Sequence, residues 1–231
     1  MNKAGRRIET PSFGPQASAF EPPVWIFDLD NTLFDASRHV FPFLHDSMTA
    51  YIQAHLNLDA DQAADLRRHY WLQYGATLNG LIRHHGTDPR HFLEATHSLP
   101  DLRGMVRCLP GLRAALRRLP GRKIVFTNSP RQYAELVLSR LGLRPHIGAV
   151  YSIEHSGYLG KPDIRAFRAL LADARVPARR CIMVEDSASN LRPAKRLGMR
   201  TAWVSRAVRR AAWVDRREGT LLNLLRGRRR G

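Results

Sequence analysis

The sequence predicts an α/β protein: a doubly wound parallel sheet in three layers, with an all-helical cap inserted after the first strand. Three observations carry that expectation. Five short apolar runs are each followed by a turn or by helical periodicity, as buried parallel strands are. Strands and helices alternate through the C-terminal half of the chain. Residues 36–109 break this rhythm with helical spacing and no strand-like run of comparable quality.

The elements follow in order. The first twenty residues read as a solvated lead-in, with Pro11, Ser12, Gly14, Pro15 and Ser18. No apolar stretch follows Arg6 and Arg7, so the segment lacks the form of a secretory signal. The first strand is Val24-Trp25-Ile26-Phe27, running into Asp28. In the insertion, Phe41, Leu44, Met48, Ile52 and Leu56 share one helical face, and Leu66, Tyr70 and Tyr74 continue the pattern. Gly75, Gly80 and Gly86 punctuate it. A helix over 110–119 leads to the second strand, Lys123-Ile124-Val125-Phe126, which ends in Thr127. A helix over 130–141 stops at Gly142, and a weaker third strand spans Ala149-Val150-Tyr151-Ser152. After a helix over 163–174 comes Cys181-Ile182-Met183-Val184, running into Glu185-Asp186. A helix over 188–197 stops at Gly198, and Thr201-Ala202-Trp203-Val204 is the last strand. The expected division is therefore a lead-in over 1–20, a core over 21–35 and 110–215, a cap over 36–109 and a basic tail over 216–231.

At 231 residues the chain exceeds the roughly 100–200 usual for one domain, which suits a core with an insertion. An apolar fraction of 44% is enough for a sizeable core, yet no stretch nears the roughly 18 apolar residues of a membrane span. No membrane partner is expected. Cys108 and Cys181 lie far apart in apolar surroundings and read as reduced core residues of a cytoplasmic protein. The formal net charge is +17, almost all from arginine, since the only lysines are Lys3, Lys123, Lys161 and Lys195. Such a surplus attracts anionic substrates and, less specifically, nucleic acid. The charge is spread along the chain and denser only at Arg226 and Arg228 to Arg230, without zinc-finger spacing or interleaved aromatics. Charge alone names no function, and specific nucleic-acid binding is not expected. His84 and His85 are adjacent, so on a helix they point apart and do not pair on one metal.

Chemistry gathers at the strand ends. The first strand ends in Asp28-Leu29-Asp30-Asn31-Thr32, the second in Thr127-Asn128-Ser129 and the fourth in Glu185-Asp186-Ser187. Ligands of open α/β sheets bind outside those carboxyl ends. Lys161, in Gly160-Lys161-Pro162-Asp163 ahead of a helix, reaches the same edge. An aspartate after a strand is often only a turn or cap residue, and Thr127-Asn128-Ser129 is also an ordinary helix start. Taken together, however, Asp28, Asp30 and Asp186 would repel one another and call for a cation. Oxygen ligands with few His or Cys nearby suit Mg²⁺. These parts fit phosphoryl transfer. Asp28 would attack phosphorus and form an aspartyl-phosphate, and Asp30 would protonate the leaving oxygen and later deprotonate water. Thr127 and the N–H groups at the next helix start would hold phosphate oxygens, with Lys161 and Mg²⁺ offsetting charge.

The segments Phe27-Asp28-Leu29-Asp30-Asn31-Thr32-Leu33-Phe34, Thr127-Asn128, Gly160-Lys161-Pro162-Asp163 and Val184-Glu185-Asp186-Ser187 resemble the four ordered motifs of the haloacid dehalogenase superfamily. The resemblance runs from about Trp25 to Val204. It implies Asp28 as nucleophile and Mg²⁺ ligand, and Asp30 as general acid/base with its backbone carbonyl on the metal. It implies Asp186 as a metal ligand, Glu185 as a ligand or its support, and Thr127, Asn128 and Lys161 as the phosphate-binding set. Asp30 speaks against dehalogenation, because that branch lacks the second aspartate. A finer resemblance links Tyr70-Trp71-Leu72-Gln73-Tyr74-Gly75-Ala76-Thr77-Leu78-Asn79-Gly80-Leu81, Phe126-Thr127-Asn128-Ser129-Pro130 and Asn190 to pyrimidine 5'-nucleotidase-like members. It implies nucleoside monophosphates such as UMP and CMP as substrates, with Tyr70, Trp71 or Tyr74 either stacking on a base or packing the cap.

The expectation is a Mg²⁺-dependent phosphomonoester hydrolase, a monomer or homodimer, with a pyrimidine 5'-nucleotidase as the finer reading. A sugar-phosphate phosphatase or phosphomutase on the same scaffold is the first rival. A basic nucleic-acid-binding protein with a vestigial hydrolase site is the second.

Overall fold

A strand flanked by layers on both faces must bury every residue, and β1 (Val24–Phe27) does so. The computed structural model describes residues 22–99, 102–208 and 211–227. The helices α1 (Val40–Leu56), α2 (Ala60–Tyr74), α3 (Thr77–His85), α4 (Pro89–Thr96) and α5 (Leu102–Met105) come next, before the chain returns to the sheet. Then follow α6 (Leu112–Arg118), β2 (Arg122–Phe126), α7 (Arg131–Leu141), β3 (Ala149–Tyr151) and α8 (Ile164–Ala174). The chain continues through β4 (Cys181–Glu185), α9 (Ala188–Arg196), β5 (Arg200–Val204), β6 (Arg216–Glu218) and α10 (Leu221–Arg226).

The sheet has the order β3-β2-β1-β4-β5-β6, and each neighbouring pair is parallel. Alternation along β1 assigns its side chains to two cores. Trp25 and Phe27 join Val125, Ile182 and Val184 under α6, α7 and α10. Val24 and Ile26 join Ile124, Cys181 and Met183 under α8 and α9. This is the expected three-layer arrangement. The chain order reverses between β1 and β4, so the crevice of the fold opens at their carboxyl ends. Two backbone bonds carry the ladder one residue further: Asp28 N–H donates to the Val184 carbonyl at 2.9 Å, and Thr127 N–H to Tyr151 at 2.9 Å. Both candidate site residues therefore leave the sheet from a fixed backbone.

The inserted helices have their own core of Tyr51, Ile52, Ala63, Tyr70, Leu78, Leu81, Phe92 and Leu93. Local signals set their ends. Asp59 and Gln62 form a reciprocal capping box at the start of α2, Asp88 caps α4 ahead of Pro89, and Gly75 and Gly86 close α2 and α3 in left-handed conformations. Gly80 corrects the reading of these glycines as punctuation. It lies within α3, where a Cβ would stand 2.2 Å from Cγ of Tyr70, so glycine is there to let α2 and α3 pack closely.

The C-terminal segment is a second correction. Residues 216–226, expected within a basic tail, form β6 and α10 instead. The Glu218 carbonyl accepts from Ser205 N–H at 2.8 Å, Thr220 caps α10, and Leu221 and Leu224 are buried. A three-residue charged edge strand and a six-residue helix are too short to show a period in sequence. Arg228 to Arg230 of the expected tail lie outside the described residues, as does the lead-in assigned to 1–20. Among the described residues no helix is long and apolar enough to cross a membrane.

Gly80→Ala tests the packing of α3 on α2. Helix propensity alone favours alanine by about 1 kcal/mol, whereas overpacking costs about 1–3 kcal/mol. Thermal unfolding is expected to show a lower Tm; a higher Tm would mean that the contact with Tyr70 does not decide the residue.

Candidate active site

Lys161 is almost fully buried, in the loop before α8. Its ammonium donates to Asp28 Oδ1 at 2.6 Å, to Glu185 Oε1 at 2.8 Å and to the Phe126 carbonyl at 2.9 Å. The lysine thus ties together the ends of β1, β2 and β4. Burial opposes its charge, but the carboxylates of Asp28 and Glu185 outweigh that and hold its pKa above the usual lysine value. Its backbone is clasped by Asn128, whose Nδ2 donates to the Lys161 carbonyl at 2.9 Å and whose Oδ1 accepts from Lys161 N–H at 2.7 Å. Both ends of the Asn128 amide are thus engaged in shaping the Lys161 loop.

Asp30 stands in a tight turn. Asn31 adopts the left-handed conformation (φ 61°), and its Oδ1 accepts from Ala36 N–H at 3.0 Å and from Ser37 N–H at 3.0 Å. Asparagine tolerates that conformation, and its side chain closes the turn behind Asp30. The Asp30 carboxylate accepts from the Tyr133 hydroxyl at 2.6 Å on Oδ1 and from the Ser129 hydroxyl at 2.8 Å on Oδ2. Burial raises its pKa, and the two hydrogen bonds offset part of the rise. Thr127 Oγ1 accepts from Ser129 N–H at 3.0 Å, which aligns the turn into α7. The N–H of Arg131 at the start of α7 donates to the Glu154 carboxylate at 3.0 Å. Those two N–H groups are therefore engaged within the protein.

Glu185 closes the other side. Its Oε1 accepts from Asn190 Nδ2 at 2.7 Å as well as from Lys161, and its Oε2 accepts from Ser187 N–H at 2.7 Å. Asp186 lies beside it, with its carbonyl accepting from Trp203 Nε1 at 2.7 Å. Burial pushes the Asp28 carboxyl up to about 7 despite Lys161, with Glu185 and Asp30 adding to the rise. Burial, with the charges of Glu185 and Asp28, pushes Asp186 up to about 8. The carboxylates of Asp28, Glu185 and Asp186 place ligand atoms within 4.8 Å of one another. An all-oxygen set whose charge exceeds that of one lysine fits a hard divalent cation.

The structure brings Asp28, Glu185, Asp186 and Lys161 into one cluster. Asp30 and Thr127 connect through Ser129, which bonds to both. Tyr70 is cap core, its hydroxyl 2.8 Å from His85 Nε2, while Tyr74 pairs with His84 Nε2 at 2.7 Å. The adjacent histidines thus have separate partners. Trp71 is 58% exposed. Gly75 is the cap residue at the Lys161 loop: a Cβ there would lie 2.5 Å from Pro162 Cδ and 3.0 Å from the Lys161 carbonyl. Sequence reasoning missed Tyr133 altogether, and it met Ser129 only as part of a helix start. Tyr133 occupies a buried-stripe position of α7 and carried no signal beyond that.

A model of the haloacid dehalogenase-like hydrolase family matches residues 24–198. A curated relative, phosphate metabolism protein 8 of Saccharomyces cerevisiae, is 27% identical over 190 residues, 76% of this chain and 59% of that protein. The chain thus spans less than two thirds of that relative's length. Among solved structures, a HAD phosphatase from Thermococcus onnurineus superimposes with a TM-score of 0.62 at 20% identity, covering 90% of this chain and 99% of that one. An L-2-haloacid dehalogenase from Xanthobacter autotrophicus, with chloropropionic acid covalently bound, gives a TM-score of 0.57 at 15% identity, covering 89% and 97%. These two likenesses speak to the fold.

The raised carboxyls give the cation site a pH signature. Unfolded aspartates lose their protons near their ordinary value of 3.8, whereas Asp28 and Asp186 keep theirs to about 7 and about 8. In that window the folded protein binds more protons, so stability declines as pH rises through it. A divalent cation requires the charged carboxylates, so its stabilisation grows over the same window. The Tm gain on adding magnesium chloride is expected to be larger at about pH 8 than at about pH 5.5, and Asp186→Asn is expected to remove the difference. An equal gain at both pH values would count against the site.

Proposed function

Because the chain belongs to the haloacid dehalogenase-like hydrolase family, we propose that it hydrolyses phosphomonoesters with Mg²⁺ through a phosphorylated Asp28. We propose pyrimidine nucleoside monophosphates such as UMP and CMP as its substrates. The observation that carries the phosphatase reading is Asp30. It is a second carboxylate next to the nucleophile, held by Ser129 and Tyr133 rather than by Lys161. Dehalogenation expels a halide and has no leaving alkoxide for such an acid to protonate.

In this reading Asp28 attacks phosphorus, an O–P bond forms to its carboxylate, and the bond to the leaving oxygen breaks. Asp30 gives its proton to that oxygen, then takes one from the water that attacks the aspartyl-phosphate. Inorganic phosphate leaves, and both carboxyls return to their starting states. Lys161 fixes the Asp28 carboxylate and places positive charge beside the transferred group, while the Thr127 hydroxyl faces the phosphoryl oxygens. Asp28, Asp186 and the backbone carbonyl of Asp30 would hold Mg²⁺, which when bound supplies charge against the phosphoryl oxygens. Glu185, engaged by Lys161, Asn190 and Ser187, braces the lysine.

Support for the nucleotide rests on the cap segment 70–81. Its Gly75 meets the Lys161 loop, which brings this segment of the cap against the core. The name of the yeast relative ties that protein to phosphate metabolism.

Phosphate release from UMP, CMP, dUMP, AMP, a hexose phosphate and p-nitrophenyl phosphate, with and without Mg²⁺, tests the proposal. Turnover led by the pyrimidine nucleotides, dependent on Mg²⁺ and reduced to background by Asp28→Asn, is the expected result. Turnover led by the hexose phosphate would retain the chemistry and discard the nucleotidase. No turnover by folded protein, with steeply salt-dependent binding to duplex, would favour the vestigial binding protein instead.

A further inference from the structure

We infer that Tyr133 is the positioning residue of the acid/base Asp30, and that its ring walls the pocket for the leaving group; the inference rests on the phosphatase reading above. A cavity of about 370 Å³ lies between α4 with its following segment and the start of α7. Leu93, His97, Gln132, Tyr133, Leu136 and Tyr158 are among its lining residues. Tyr133 is 3% exposed, and its hydroxyl donates to Asp30 Oδ1 at 2.6 Å. One side chain therefore joins the cavity to the carboxyl that handles the leaving oxygen. The cavity is bounded by cap on one side and core on the other, and it has both apolar and polar walls, as a site for an alcohol leaving group requires.

The two donors on Asp30 are not equivalent. The Ser129 hydroxyl turns about a single bond and both donates and accepts, so it can release Oδ2 or accept from it. The Tyr133 hydroxyl lies at the end of a rigid ring. That ring is held on the cap side by His97, which meets it nearly edge-on at 5.9 Å between centroids and 75° between planes. Tyr133 therefore keeps its bond to Oδ1 while Oδ2 carries the proton. In the first half-reaction the Oδ2–H bond breaks, the proton passes to the leaving oxygen, and the negative charge left on Asp30 is met by the Tyr133 O–H. The ring of Tyr133 thereby fixes the Oδ1 bond and, with it, the orientation of the Asp30 carboxyl.

The test is Tyr133→Phe, which keeps the ring and its contact with His97 and deletes the donor. Because kcat/KM reports only as far as departure of the leaving group, it includes the acid step and leaves out hydrolysis of the aspartyl-phosphate. Phenolate departure from p-nitrophenyl phosphate needs little protonation, whereas the alcohol of an alkyl phosphate needs it fully. For the best alkyl phosphate of the panel, kcat/KM is expected to fall about 10- to 100-fold, against less than about threefold for p-nitrophenyl phosphate. An equal fall on both esters assigns Tyr133 a purely structural role and overturns the inference, as does no fall on either. A wild type that turns over neither ester removes the phosphatase reading itself, and the role of Tyr133 with it. Equal Tm values of variant and wild type establish that the comparison is between folded proteins.

Discussion

A single buried ammonium holds the centre of this protein together. Lys161 is the cation shared by Asp28 and Glu185, and through the Phe126 carbonyl it also anchors the end of β2. Removing one partner of a buried ion pair costs about 3–5 kcal/mol, because the remaining charge stays desolvated. Around this one lysine stand four carboxyls: Asp28, Asp30, Glu185 and Asp186. Their surplus charge must be met by protons, hydrogen-bond donors or a metal ion, and each carboxyl has a different answer. Glu185 has Lys161, Ser187 and Asn190; Asp30 has Tyr133 and Ser129; Asp28 shares Lys161; and burial still raises the pKa of Asp28, Asp30 and Asp186.

The geometry depends in turn on the sheet. Asp28, Thr127 and Glu185 lie at the ends of adjacent parallel strands whose register is fixed by the ladder. Parallel strands with buried faces slip at high cost, since a shift by one residue would reverse which core each side chain enters. The apolar clusters on the two faces of the sheet therefore also secure the polar edge.

Much of this was legible in the sequence. The five runs beginning at residues 24, 123, 149, 181 and 201 all became strands, the two fully buried ones, β1 and β4, from the most apolar runs. Acidic residues after two of these runs announced the site by their convergence, since each alone could have been a turn or cap residue. What stayed hidden depends on contacts across the chain. Tyr133 and Asp30 are 103 residues apart, and no local pattern links them. The resemblance brought Asn128 in beside Thr127, but no local pattern showed that its amide is matched to the backbone of residue 161. Gly80 resembled a helix stop until the Tyr70 ring filled the space that a Cβ would occupy. β6 and α10 were too short, and too charged in the strand, to announce themselves.

Gly75 has a bearing on how such a protein diversifies. At that point the cap backbone and the Lys161 loop leave no room for a side chain, and the positive φ of 77° already disfavours one. The carbonyl of Lys161 meets the cap on one side and accepts the Asn128 amide on the other. Variation of this part of the cap must therefore pass around the fixed point, through neighbours such as Tyr74 and Asn79 that carry side chains to vary. A library built on this scaffold would hold residue 75 constant and spend its diversity on either side.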